Sequence, residues 1–214
     1  MKEKKTARYE MDMCSGSILG KMILFAVPLM LSGVLQLLFN AADVIVVGRF
    51  AGDNSLAAVG STTCLIGLLT NLFIGLSVGG NVLTAHYYGA KKPTHLKETV
   101  HTAITLSILS GLILTVLGVF GARAILSLMD TPPEVLNKAV LYLRIYFGGM
   151  TATMVYNFGS AILRAFGDTK RPLYYLSLAG AVNVVLNLIF VIVFEMDVAG
   201  VALATVISQC ISAL

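Results

Sequence analysis

The sequence predicts an all-α integral membrane protein, a bundle of six transmembrane helices with no separate soluble domain. Three observations carry this reading. Hydrophobic residues make up 57% of the chain and charged residues only 12%, against about 25% charged in an ordinary soluble domain. The charge is also segregated. Residues 22–48, 54–90, 99–122, 145–163 and 172–194 carry no ion except Asp43, and a sixth apolar run occupies 198–214. Each run is close to or above the roughly 20 apolar residues that cross about 30 Å of hydrocarbon. Finally, Lys and Arg crowd alternate connections, as the positive-inside bias requires of a chain that crosses repeatedly.

The elements follow in order. Residues 1–20 form a basic N-terminal segment with Lys2, Lys4, Lys5 and Arg8, expected as an amphipathic interfacial helix over 8–20 on the inner leaflet. It does not read as a cleavable signal, because the apolar run behind it is too long for a signal core. The first span lies near 21–48. Pro28 falls inside it, removing one backbone hydrogen bond and favouring a bend. The turn "RFAGDNS" (49–55) leads to a second span near 56–87. Its "GLSVGG" (75–80) lacks the following Lys and Ser/Thr of a phosphate loop, so close helix packing is the expected use of those glycines. The basic loop "GAKKPTHLKE" (89–98) precedes a third span near 98–128, and "MDTPPEV" (129–135) a fourth near 135–163. In "RAFGDTKRP" (164–172), Gly167 is expected to end a helix and Pro172 to sit in the first turn of the fifth, near 172–194. "EMDVAG" (195–200) then turns the chain into a sixth span, 199–214. That span stops without flanking charge, so the chain is expected to be truncated before further spans.

The N-terminal segment, Lys21, Lys91, Lys92, Lys97, Arg164, Lys170 and Arg171 fall on one side, leaving Arg49, Arg123, Lys138 and Arg144 for the other. This bias places the N-terminus in the cytoplasm and the protein as a multi-pass chain in the cell (inner) membrane, with lipid as its first partner. The net charge of +4 resides in these loops and is no basis for nucleic-acid binding. Cys14, Cys64 and Cys210 share no short spacing, so neither a zinc site nor a disulfide framework is indicated. No acid/base or metal constellation converges, and the chain does not read as an enzyme with a cofactor.

The informative residues are the polar ones inside the spans. Gln36, Asn40 and Asp43 follow i, i+4, i+7 and share one face of the first helix. A charge near the membrane centre costs about 2.5–3.5 kcal/mol, so it usually faces a cavity or a partner. The plainer reading is an acid near enough to the outer end to reach water. Asn183 and Asn187 stand one turn apart on the fifth helix, with Gly180 in the same stripe. Two roles stay open for them: interhelical hydrogen bonding, or oxygen ligands for a hard cation. The sixth helix adds Thr205, Ser208, Gln209 and Ser212, each commonly satisfied by its own helix. On the fourth helix Tyr146 is expected as an interfacial anchor, with Tyr142 open.

"PLMLSGVLQLLFNAADVIVVGRFAGDNSLAAVG" (28–60), "GLSVGGNVLTAHYYGAKK" (75–92), "ILRAFGDTKRPLYY" (162–175) and "NVVLNLIFVIVFEMDVAGVALATVISQ" (183–209) together resemble the multidrug and toxic compound extrusion (MATE) transporters, in the same order and over nearly the whole chain. The resemblance implies that this chain is one lobe, the amino-terminal one, of a twelve-helix, two-lobed transporter. It further implies cation-coupled efflux, driven by H⁺ or Na⁺, of small amphipathic and often cationic compounds, with a carboxyl-terminal lobe as the missing partner. On the matching positions it implies a cation site, suited to Na⁺ as well as H⁺, of Asp43, Asn183, Asn187 and Thr205. Tyr142 is implied near that site and Pro28 as the place where the first helix bends, while the shared face with Asp43 makes Gln36 and Asn40 candidate supporting or cavity-lining residues. Some branches carry a second acid where this chain has Asn187, which leaves at most one titrating carboxyl and both ions open. The alternatives are a lipid-linked oligosaccharide flippase of the same superfamily, disfavoured by the absence of central basic residues, and a structural or assembly fragment without transport.

Overall fold

The computed structural model describes residues 18–214; residues 1–17, which hold most of the expected interfacial segment, lie outside the described residues. The described chain forms helices α1 (Ile18–Phe50), α2 (Asp53–Gly89), α3 (Pro93–Leu128), α4 (Pro133–Gly148), α5 (Met150–Ala165), α6 (Lys170–Leu188) and α7 (Asp197–Ala213), with a π-helical turn, Ile189–Val193, continuing α6. Their bounds run past the predicted spans at most ends. α1, α2 and α3 have 33, 37 and 36 residues. At 1.5 Å per residue each is about 50 Å or longer, so its ends project beyond the hydrocarbon.

Four helices are long and apolar enough to cross a membrane unaided: α1, α2, α3, and α6 with its π-helical turn. The fourth predicted span, 135–163, is not one helix but the jointed pair α4–α5, broken at Gly149. There the amide of Gly149 donates to Tyr146 O at 3.2 Å, an i−3 bond that interrupts the α-helical ladder. The break is tightly packed and its buried polar groups are met. A side chain at Gly149 would stand 2.6 Å from both methyls of Val206 on α7, so the backbone passes where only glycine fits. The carbonyl of Phe147 beside the break accepts the Thr115 hydroxyl of α3 at 2.8 Å, so a buried acceptor is not stranded. Neither half reads as a span by length, since each has 16 residues. α7 is a shorter apolar helix of 17 residues.

The turn "RAFGDTKRP" combines two stop-and-start devices. Gly167 takes φ +85°, and the Asp168 amide reaches back to Leu163 O at 3.0 Å to close α5. Asp168, itself buried, then accepts the amides of Lys170 and Arg171 at 3.1 Å each, capping α6. Arg171 Nε lies 3.1 Å from the second carboxylate oxygen. Pro172 follows in the first turn of α6, where its missing N–H costs nothing. α1 continues as a helix through Pro28, whose carbonyl accepts the Ser32 hydroxyl at 2.8 Å.

α4–α5 is the hub, packed between α2, α3 and α7, whereas α1 rests chiefly on α6. Leu114, Leu126, Leu143, Phe147, Met150, Met154 and Val201 are fully buried there. Outward, Leu37, Leu72, Phe120 and many other large apolar side chains are exposed, the surface expected against acyl chains rather than water. The glycines of 75–80 do not pack as expected: Gly75 and Gly79 face open space, and Gly80 only approaches Ala103 at 3.7 Å. Tight packing is found instead on α3, where a side chain at Gly118 would stand 2.1 Å from the Phe147 ring.

Gly118→Val therefore forces apart α3 and the α4–α5 joint. It should destabilise the protein by about 1–3 kcal/mol, as overpacking does, lowering the midpoint of thermal unfolding followed by circular dichroism in detergent. Gly60→Ala, at a helical glycine facing open space, should leave the midpoint unchanged or raise it slightly. Equal midpoints for Gly118→Val and the parent would contradict this packing.

Candidate functional site: a polar cluster inside the membrane bundle

α1 and α6 meet along two facing stripes. Phe39 and Asp43 lie one turn apart on α1; Gly180, Asn183 and Asn187 follow i, i+3, i+7 on α6. The closest approach is at Gly180, where a side chain would stand 1.9 Å from the Phe39 ring. Glycine there lets Phe39 lie on the α6 backbone, and that contact brings Asp43 within reach of α6 one turn further along.

At that point Asn187 Nδ2 donates to Asp43 Oδ1. The same nitrogen donates to Asn183 Oδ1 at 3.2 Å, and Asn183 Nδ2 donates to Thr205 Oγ1 of α7 at 3.4 Å. The Thr205 hydroxyl gives its own proton to Val201 O at 2.9 Å. The four residues named for a cation site thus form one hydrogen-bonded chain across α1, α6 and α7. Its polarity is uneven. Asn187 Oδ1 is buried without a donor, although Asn187 itself is 0% exposed. A stranded carbonyl oxygen beside a carboxylate is an unmet demand for positive charge or a proton.

The cluster borders a cavity of about 280 Å³ lined from α1, α2, α4, α5, α6 and α7. Gln36 and Asn40 line it, but among the described residues no hydrogen bond joins either to the four. Tyr142 and Tyr146 form the α4 wall, their rings stacked with centroids 6.0 Å apart. Tyr146 was expected as an interfacial anchor and is instead a cavity residue. The signal was present in its i, i+4 spacing from Tyr142, which puts both on one face. Thr63 and Thr70 of α2, Thr153 and Asn157 of α5, and Ser208, Gln209 and Ser212 of α7 add to the polar lining. No Lys, Arg or His is among the lining residues, so Asp43 supplies the cavity's one formal charge. Among the described residues no group of three His, Cys, Asp or Glu could hold a metal ion. Pro28 lies far along α1 toward the opposite membrane face and outside this cavity.

A multi-pass helix bundle that gathers a carboxylate, two amides and a hydroxyl around a cavity within the membrane is the architecture of a membrane transporter. The family model of MatE matches residues 28–189, and the chain belongs to that family. It is 36% identical over 196 residues to the probable multidrug resistance protein YoeA of Bacillus subtilis (strain 168), covering 90% of this chain and 42% of the relative. It is 31% identical over 205 residues to the probable multidrug resistance protein YpnP of the same organism, covering 95% and 46%. Among solved structures, a MATE protein in its bent conformation superposes with a TM-score of 0.86 at 28% identity, over 92% of this chain and 44% of that one. The chain therefore spans about half the length of the relatives it matches.

If the Phe39–Gly180 contact sets the α1–α6 distance, Gly180→Ala should cost about 1–3 kcal/mol of stability. Shortening the opposing ring with Phe39→Leu in the same protein should recover half or more of that loss. Strictly additive effects in this double-mutant cycle would contradict the contact.

Proposed function

We propose that the chain is the amino-terminal lobe of a cation-coupled multidrug efflux antiporter, seated in the cell membrane with its N-terminus in the cytoplasm. One observation supports this reading above the rest. The cavity's single carboxylate, Asp43, is bonded to an amide whose own carbonyl oxygen is buried and unpartnered. Such a site favours binding of H⁺ or Na⁺. A proton would neutralise Asp43; Na⁺ would leave the acid ionised and draw oxygen ligands from Asp43, Asn183, Asn187 and Thr205. Inward movement of either cation gains about 2.3 kcal/mol per charge per 100 mV, in addition to its concentration term. In this scheme a second lobe supplies the facing wall of the central cavity, α1 moves about Pro28 as the cation comes and goes, and a small amphipathic compound leaves outward. The half-length match to multidrug resistance relatives supports the two-lobed reading.

The cavity lining favours drug export over the flippase alternative. A lipid-linked pyrophosphate calls for Arg or Lys at its binding surface, and the lining here is neutral and acidic. Asp43→Asn in the complete two-lobed polypeptide should abolish cation-driven efflux, lowering drug resistance to that of cells without the transporter at equal membrane expression. Parental resistance in that variant would overturn the role given to Asp43.

A further inference from the structure

The outer ends of α2, α4 and α7 are fastened by one lysine. Lys138 Nζ donates to Ser55 Oγ at 2.8 Å and to Asp197 Oδ2 at 2.6 Å, so a single ammonium joins three helices. Ser55 is fully buried, while Lys138 and Asp197 are about one-third exposed. Helical spacing ties this junction to the cavity. Ser55, Val59 and Thr63 follow i, i+4, i+8 on α2, and Lys138, Tyr142 and Tyr146 do the same on α4. On α7 the series is Asp197, Val201 and Thr205. The last members of all three series line the Asp43 cavity, as do Val59 and Tyr142. The junction therefore stands just beyond that cavity, about one helical turn from its nearest lining on α2 and α4 and two on α7. Between them Val47, Leu143, Val198 and Val201 are 0–2% exposed, a buried apolar layer.

The cavity's accessible lining lies elsewhere. Gln36, Asn40 and Val44 on α1 and Thr63 on α2 both line it and are exposed. α1 contributes nothing to the Lys138 junction.

We propose that Lys138, Ser55 and Asp197 form a seal at the outer end of the lobe, so that water and cations reach Asp43 sideways, between α1 and α2, and not along the bundle axis. Lys138 is the pin of this seal. Without its amine, Asp197, about one-third exposed, loses the only cation among the described residues that faces it and keeps only the neutral donors Ser55 and the Val198 amide. A half-buried carboxylate so stranded recruits water into the layer below. The consequence for coupling rests on the reading of Asp43 as the cation-binding acid; the seal itself does not.

The test is thiol accessibility in the complete polypeptide, with Cys14, Cys64 and Cys210 replaced by Ser, reconstituted in nanodiscs and exposed to a charged methanethiosulfonate from both faces. Val201→Cys reports the layer beneath the seal, and Asn40→Cys reports the mouth. With Lys138 present, Asn40→Cys should label rapidly and Val201→Cys should not label. In Lys138→Ala, the Val201→Cys rate should rise by about tenfold or more, while Asn40→Cys is unchanged. Lys138→Arg, which keeps the charge, should hold the layer closed. Asp197→Asn breaks the same junction and should also expose Val201→Cys, which keeps the test decisive should Lys138→Ala fail to fold. The seal is overturned if Val201→Cys labels as fast as Asn40→Cys with Lys138 in place. It is equally overturned if Val201→Cys stays unlabelled in whichever broken-junction variant retains the parental Asn40→Cys rate. Since no transport is read, either result leaves the efflux proposal to its own experiment.

Discussion

The hydrogen bond from Asn187 to Asp43 is the constraint on which the rest of this lobe depends. A carboxylate within a membrane helix costs about 2.5–3.5 kcal/mol unless something meets it, and here the partner is on a helix distant in sequence. Everything around that bond serves the approach of α1 to α6. Gly180 removes the side chain that would hold Phe39 away. Asn183 fixes the rotamer of Asn187 by accepting from the same nitrogen, and Thr205 brings α7 into the chain. The arrangement still leaves one buried oxygen of Asn187 unmet. That acceptor is open to a donor or a cation.

The bundle around this bond divides labour between rigid and loosely held parts. α2, α3, α4–α5 and α7 share the buried core, interlocked where Gly118 meets Phe147 and Gly149 meets Val206. Lys138 adds a polar fastening at one end of α2, α4 and α7. α1 stands apart, most of its side chains exposed and its main contact made with α6. An element held by few buried contacts is the one free to shift at low cost. That the acid is carried by this helix, and its amide partners by the packed bundle, fits a switch in which occupancy of one bond repositions one helix.

Much of this was legible in the sequence, because membranes make sequence pattern unusually informative. Charge-free runs mark where most of the helices fall, and an acid at Asp43 with amides at Asn183 and Asn187 marks the polar cluster. What failed did so for local steric reasons. The break at Gly149 leaves no mark in hydropathy, since the residues on both sides remain apolar, and the close approach of Val206 there is a contact remote in sequence. Glycines at 75–80 suggested a packing face, but the packing glycines proved to be Gly118, Gly149 and Gly180, whose partners only the fold identifies. Tyr146 departs from the usual anchoring role of a membrane tyrosine because its register with Tyr142 turns it to the cavity. Asp168 as the cap of α6, and Lys138 as a three-helix pin, involve loop and terminal geometry that periodicity does not encode.

The central claim is that Asp43, with Asn183, Asn187 and Thr205, binds the coupling cation. Carbodiimide modification of the reconstituted protein, read by peptide mass spectrometry, addresses it directly, because the reagent attacks a protonated carboxyl in an apolar site and is excluded by a bound ion. The account predicts an adduct on Asp43 whose yield falls as pH is raised, or as Na⁺ is added at constant pH and ionic strength. An Asp43 adduct whose yield is indifferent to both H⁺ and Na⁺ would contradict it.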